Sequence, residues 1–516
     1  MRGFEHPILS ICRGPDISKS LQDIQVGFPT LPPETSSTRF KLIRHWLQHC
    51  NDRHKCHPKQ PGYLPSRVID VGSDKASGSM RLLETPGQGG KYIALSHRWG
   101  DKAKNWSFST RRSNLHERMR SIEMADLPPT FQDAVRVTRE LGIQYLWIDS
   151  ICIIQGPDGD WDEQAKCMED VFSSAYCVVA ATRASGAADG FLKTPTPRDF
   201  VALSDGSGNC FYVCEAIDDF EKHVSAADLN TRGWVYQERA LARRTIHFTK
   251  EQTYWECGHG IRCETLTKMA NSKAALFGDP DFPKFAMNQS KGGIIIFFET
   301  FYRQYSRLAL SVSTDRPVAI AGLEIRLIRA LGVHGGFGIF DSHRPGLDSY
   351  LGRSLLWTRG PGVESMVKID FRLGSEVPSW SWMAYEGAID YLDIPFNEVA
   401  WEKDQLKSPW DQKLSQQSSW HTADRGAKAK LTAQARAFSE SADGEIVYDS
   451  GGRPVGQELK CVVIGSSKLE TATEQKTHYV LVIGRRGGND WERVGVGMLM
   501  GKDIAFADAG LAVSVC

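Results

Sequence analysis

The chain is 516 residues long, 41% hydrophobic, 10% aromatic and 24% charged, and its 62 Lys and Arg are matched by 62 Asp and Glu. That balance excludes a global field that would draw in nucleic acid or an anionic membrane, so any charged ligand has to be held locally. The length calls for roughly two or three cores, and 12 cysteines spread through it make no disulfide framework; they read as reduced thiols of a cytosolic or nuclear protein, with a cytoplasmic location expected.

The start, Met1 to Pro7 followed by the short apolar Ile8 to Cys12, lacks the length of a secretory signal. The longest apolar runs, Leu146 to Ile154 and Ile294 to Phe298, fall below the roughly 18 residues of a membrane span. Residues 1 to 38 form an irregular lead-in rich in Pro, Ser and Thr. A helix follows, with Leu42, Ile43, Trp46 and Leu47 at helical spacing, and runs into His49, Cys50, His54, Cys56 and His57. Thiolate and imidazole are zinc donors, but the spacing lacks paired CxxC halves, and a second half exists only if Cys257, His259 and Cys263 supply it. Plain packing of thiols and rings is the alternative. This lead-in region is taken as 1–89.

From 90 to 265 strands and helices alternate, the pattern of an α/β domain with a largely parallel sheet. Tyr92 to Leu95 reads as a buried strand. Leu127-Pro-Pro-Thr130 opens a helix, with Thr130 as cap, an inner stripe of Phe131, Ala134, Val135, Thr138 and Leu141, and Gly142 just past its end. A strand is expected over Gln144 to Ile154. After the turn at 156–160, Trp161, Ala165, Met168, Phe172 and Ala175 make one amphipathic stripe, and Cys177 to Ala181 returns to the sheet. Residues 186 to 229 are looser and read as an insertion or lid. Thr231 to Leu241 reads as a helix, and Thr245 to Phe248 and Thr253 to Glu256 as short strands. A helical connector (266–375) with helices over Phe297–Leu308 and Val318–Leu331 precedes a β-rich C-terminal region (376–516). Strands are expected there at Val377–Met383, Glu445–Tyr448, Cys461–Ile464, Tyr479–Ile483 and Val494–Leu499.

Ser96 and Asp149 stand at C-terminal strand ends, where open α/β sheets place ligands. Ser96 could donate to a phosphate or a ribose hydroxyl and Asp149 could accept from one; capping of the next turn is the alternative for both. Arg98 and Lys102, in the loop after the first strand, could neutralise a diphosphate. Glu238 lies beside aromatics on a helix, an arrangement suited to chemistry at a sugar carbon, unless it pairs with Arg232, Arg239 or Arg243. The nucleophile elbow GxSxG, the P-loop, HExxH and a GxGxxG after the first strand are all missing.

Three blocks together resemble the fungal heterokaryon-incompatibility (HET) domain family. They are Tyr92-Ile-Ala-Leu-Ser-His-Arg-Trp-Gly100; Leu127-Pro-Pro-Thr-Phe-Gln-Asp-Ala with Leu141 through Gln155; and Arg232-Gly-Trp-Val-Tyr-Gln-Glu-Arg-Ala-Leu241 with Tyr254-Trp-Glu-Cys257. Trp46-Leu-x-x-Cys50 and Val377-Pro-Ser-Trp-Ser-Trp382 match the family's flanks, while His97 replaces its usual Tyr. The resemblance implies non-self recognition and programmed cell death, through self-association as a homo-oligomer and contact with other incompatibility or signalling proteins. The family is distantly similar to TIR domains, which implies a TIR/flavodoxin-like parallel sheet with helices on both faces. Some TIR domains hydrolyse NAD, and Trp234-Val-Tyr-Gln-Glu238 is similar to their catalytic helix. On that alternative Glu238 is the catalytic carboxylate, NAD is the substrate, and Ser96, Arg98, Trp99, Asp149 and Trp234 bind it, Trp234 by stacking unless it is core. No resident cofactor or metal is implied.

Overall fold

The computed structural model describes residues 9–13, 27, 37–54, 56–72, 79–100, 108–193, 199–204, 210–271, 276–277, 279–342, 349–372, 376–410, 429–440, 444–469 and 472–516. The chain divides into two compact units, Met1–Phe285 and Ala286–Cys516.

In chain order the strands of the first unit are β1 (Leu9–Arg13), β2 (Arg67–Asp70), β3 (Ser79–Glu84), β4 (Tyr92–Ser96), β5 (Ile122–Glu123), β6 (Tyr145–Trp147) and β7 (Cys177–Ala180). Then come β8 (Phe200–Ser204), β9 (Cys210–Glu215), β10 (Arg244–Phe248), β11 (Thr253–Cys257), β12 (Gly260–Cys263) and β13 (Lys268–Met269). Ten of them form one sheet in the order β13-β12-β11-β10-β7-β4-β6-β2-β3-β5. At its centre β10, β7, β4 and β6 run parallel. Hairpins add antiparallel strands on either side, so the expected parallel sheet is the middle of a mixed one. The centre is parallel because helices connect it: Pro129–Glu140 leads from β4 to β6, Trp161–Lys166 and Met168–Ser174 from β6 to β7, and Gly233–Leu241 into β10. Every residue of β4, β7 and β10 is buried, as strands covered on both faces require.

Three local expectations in the first unit are corrected. The apolar run after Gln144 leaves the sheet at Trp147, and Asp149 opens a short helix, Asp149–Cys152, its Oδ1 accepting the Ser150 N–H at 2.6 Å. The Trp161–Ala175 stripe is carried by two helices that meet at Cys167. Thr130 does not cap its helix, which begins at Pro129, where a missing N–H costs nothing. Its hydroxyl instead donates to Gly186 O at 3.0 Å and accepts from the Gly190 N–H at 3.2 Å. Gly142 ends that helix with a left-handed φ of 70°.

The lead-in helix, Ser37–His49, buries Phe40, Ile43, Trp46 and Leu47, and Arg39 Nε lies 2.7 Å from Glu264 Oε1 with both side chains buried. β1, β9 and β8 make a separate antiparallel sheet. Its β8–β9 hairpin lies within the looser 186–229 segment.

The second unit opens with the helix Lys291–Ser306, whose Ser290 cap accepts the Gly293 N–H at 3.2 Å. A second helix, Ala321–Leu331, ends at left-handed Gly332. An eight-stranded sheet follows, with Leu459–Ser467, Thr477–Gly487 and Asp490–Met500 as its longest strands. Val377–Met383 is not a strand: Ser381 Oγ accepts the Met383 N–H at 3.0 Å and starts a short 3-10 turn, Trp382–Ala384, with Trp380 and Trp382 fully buried. Among the described residues no helix is long and apolar enough to cross a membrane.

Candidate functional site

β4 ends at Ser96 and the neighbouring parallel strand β6 ends two residues before Asp149, so both side chains reach the same C-terminal rim of the sheet. The helix Gly233–Leu241 brings a third group to that rim, and all nine of its residues are buried. Ser96 Oγ donates to Glu238 Oε2 at 2.5 Å. Burial pushes the Glu238 carboxyl up to about 7; the Ser96 hydrogen bond opposes the rise, the Asp149 charge adds to it, and Arg232 works against it. A buried carboxyl balanced near neutral pH with a second carboxyl group in electrostatic reach is an arrangement that glycoside-cleaving sites also use.

Asp149 is held in turn. It accepts from Trp99 Nε1 at 2.7 Å, and His97 Nδ1 lies 3.9 Å from its other oxygen. His97 is buried edge-on to Phe131, with centroids 5.0 Å apart, and burial lowers its pKa, so the ring is neutral at physiological pH. Arg232 Nη1 donates to the His97 carbonyl at 2.8 Å, which fixes the loop leaving β4. The same loop passes very close to a second one: a Cβ on Gly100, whose φ is 76°, would stand 3.0 Å from Gly186 Cα.

The structure therefore brings Ser96, Asp149, Trp99 and Glu238 together, with His97 and Arg232 as supports that the sequence did not single out for the site. The signal for His97 was its replacement of an aromatic phenol in the first block. Arg98 turns to Asp228, 3.4 Å away, rather than to this group. Lys102 lies outside the described residues. Trp234 packs edge-to-face on Trp161 at 5.4 Å and is 9% exposed, so in this conformation it serves as packing beneath the rim. Two of the three rival partners of Glu238 are engaged elsewhere: Arg239 forks onto Glu256 at 3.0 Å through Nε and Nη2, and Arg243 pairs with Asp281, whereas Arg232 does act on the Glu238 charge.

Cys50, Cys56 and Cys257 also converge, their Sγ atoms all within 4.8 Å of one another. Cys263 does not join them; its Sγ lies 2.9 Å from Thr265 Oγ1.

Residues 92–238 match the family model described as heterokaryon incompatibility protein (HET), a match that starts at β4 and ends on Glu238. The Neurospora crassa protein "Heterokaryon incompatibility protein 6, OR allele" is 34% identical over 94 residues, which are 17% of this chain and 14% of that protein. No solved structure matches.

Proposed function

We propose that this chain, whose residues 92–238 match the HET family model, is a cytoplasmic effector of fungal non-self recognition that acts by contact. Self-association and binding of other incompatibility or signalling proteins would switch it on and lead to programmed cell death. The observation that carries this reading is an uncovered apolar face on the β1-β9-β8 sheet. The register aligns Ile11 with Val213 and Val213 with Val201, and Phe211 with Leu203, so these side chains share one face with Leu9, bounded by Glu215 opposite Leu9 and Arg13 opposite Phe211. Leu9, Ile11, Val201 and Leu203 are 60, 53, 59 and 42% exposed; on the opposite face Cys12 and Cys214 are buried while Phe200 of β8 is 42% exposed. β1 and β8 are the edges of that sheet, and an exposed apolar edge strand is a template for a further strand. A second copy of the chain is the occupant we favour.

Val201→Glu with Leu203→Glu is expected to convert a self-associating chain to monomer by light scattering, with an unchanged circular dichroism spectrum. The same pair is expected to relieve growth arrest when the chain is expressed in a fungal host. A wild type that stays monomeric at high micromolar concentration would remove this reading.

A second reading is favoured by the Ser96–Glu238 contact. On it the domain is a TIR/flavodoxin-like NAD glycohydrolase. Departure of nicotinamide leaves positive charge on the ribose, and an ionised Glu238 would stabilise that oxocarbenium-like state. Asp149 and Ser96 would take the ribose hydroxyls and Trp99 would lie beside a ring, while Arg98 and Trp234 would have to leave Asp228 and Trp161 to reach the ligand. Ordering of the rim by self-association would link the two readings.

A further inference from the structure

We propose that Cys50, Cys56 and Cys257, with His54 turning in as the fourth ligand, bind a structural zinc ion that fastens the lead-in helix to the end of strand β11. The three thiols are 0, 1 and 2% exposed and their sulfurs lie within 4.8 Å of one another. Thiolates on one tetrahedral zinc, with Zn–S near 2.3 Å, stand about 3.8 Å apart, so small side-chain adjustments complete the triangle. His54 Nδ1 lies 3.5 Å from Cys257 Sγ. A nitrogen and a sulfur on the same tetrahedral ion are separated by about 3.5 Å, so His54 already stands correctly toward Cys257; its ring lies outside the mutual 4.8 Å group of the three sulfurs and would turn toward Cys50 and Cys56 to become the fourth ligand. Three soft sulfurs and one imidazole in that geometry select zinc over the harder divalent ions.

The surrounding chain supports the ligands. Residues Cys50–His54 form a π-type turn at the end of the lead-in helix, a widening that turns Cys50 and His54 out of ordinary helical register. Cys257 closes β11, and His259, in the turn that follows, stacks on the His54 ring with centroids 4.4 Å apart and planes 18° from parallel. His259 Nε2 also meets the His54 carbonyl at 3.1 Å. Such contacts fix the orientation of a ligating ring. A disulfide between any two of the cysteines would use only two of the three clustered sulfurs, whereas zinc engages all three. His54 and Cys257 stand 203 positions apart, so the ion closes a loop spanning most of the first unit, and its binding energy becomes folding energy.

The test uses the full chain expressed in zinc-supplemented medium. Elemental analysis is expected to give about one zinc per chain, lost in Cys257→Ser and Cys56→Ser but kept in Cys263→Ser, which removes a buried cysteine of the neighbouring strand. Since the first two variants could fail to fold, cobalt(II) exchanged into the wild-type chain supplies a second readout. Intense visible d–d bands and a thiolate charge-transfer band are expected, as for a tetrahedral site of three sulfurs and one nitrogen, and both are altered in His54→Ala. Wild-type protein with no bound metal and 12 titratable thiols, or with two fewer thiols and a disulfide, would overturn the proposal.

Discussion

Glu238→Gln is expected to lower nicotinamide release from NAD by at least about a hundredfold in the full chain, if the rim of the sheet is a glycohydrolase site. Nicotinamide leaves as a neutral molecule and needs no proton, so the carboxyl must act as an anion. Because burial holds Glu238 at about 7, the wild-type rate is expected to rise with pH through that value. The same shift makes a stability prediction that does not depend on any activity. A carboxyl raised from 4.5 to about 7 contributes stability below 4.5 that is lost as pH rises through 7. Gln cannot ionise, so the variant is expected to be the more stable of the two above pH 7, by on the order of 3 kcal/mol once ionisation is complete, and to melt at a higher temperature there. Thermal melts from pH 4 to pH 9 would decide it. Parallel curves for the two proteins would show that Glu238 is not buried against charge, and equal nicotinamide release would end the enzymatic reading.

Glu256→Ala is expected to cost about 3–5 kcal/mol of stability, because it strands a buried guanidinium. Glu256 receives both Nε and Nη2 of Arg239 at 3.0 Å, His247 Nε2 at 2.9 Å and Asn271 Nδ2 at 2.9 Å. Arg239, His247 and Glu256 are 5, 1 and 3% exposed. Burial acts to raise the Glu256 pKa, yet the Arg239 charge and the His247 contact overcome it and hold the group at about 2. A depressed carboxylate contributes stability above 4.5 that disappears as pH falls toward 2, so the wild type is expected to unfold steeply in that window. The variant should lack that steep component and show a lower urea midpoint at pH 7. A loss below about 1 kcal/mol would mean that water reaches the cluster.

The parallel centre of the sheet was readable because β4 and β7 are unbroken apolar runs between helical stripes. That rule also told where to look for a site, since side chains at the ends of neighbouring parallel strands share a rim, and Ser96 and Asp149 do so. The run from Leu146 to Ile154 misled because a short buried helix and a buried strand carry the same apolar signal; only the local hydrogen bond of Asp149 separates them. Ser381 did the same to the Val377–Met383 segment. Partners fixed by antiparallel register were beyond reach altogether. Nothing in the spacing says that Cys257 rather than Cys263 meets Cys50, because the choice depends on which residues of the β11–β12 hairpin face the lead-in.

The helix Gly233–Leu241 has no side turned to solvent, since every one of its nine residues is buried. Its adjacent residues Glu238 and Arg239 point into two different networks, one at the rim and one beneath it. An ordinary amphipathic helix carries information at every third or fourth position and tolerates drift at the others. This one has no such silent positions, so its specification is a contiguous word instead of a periodic stripe. A saturation scan across it should show nine intolerant sites in a row, and a single insertion would misdirect both the rim carboxyl and the guanidinium at once.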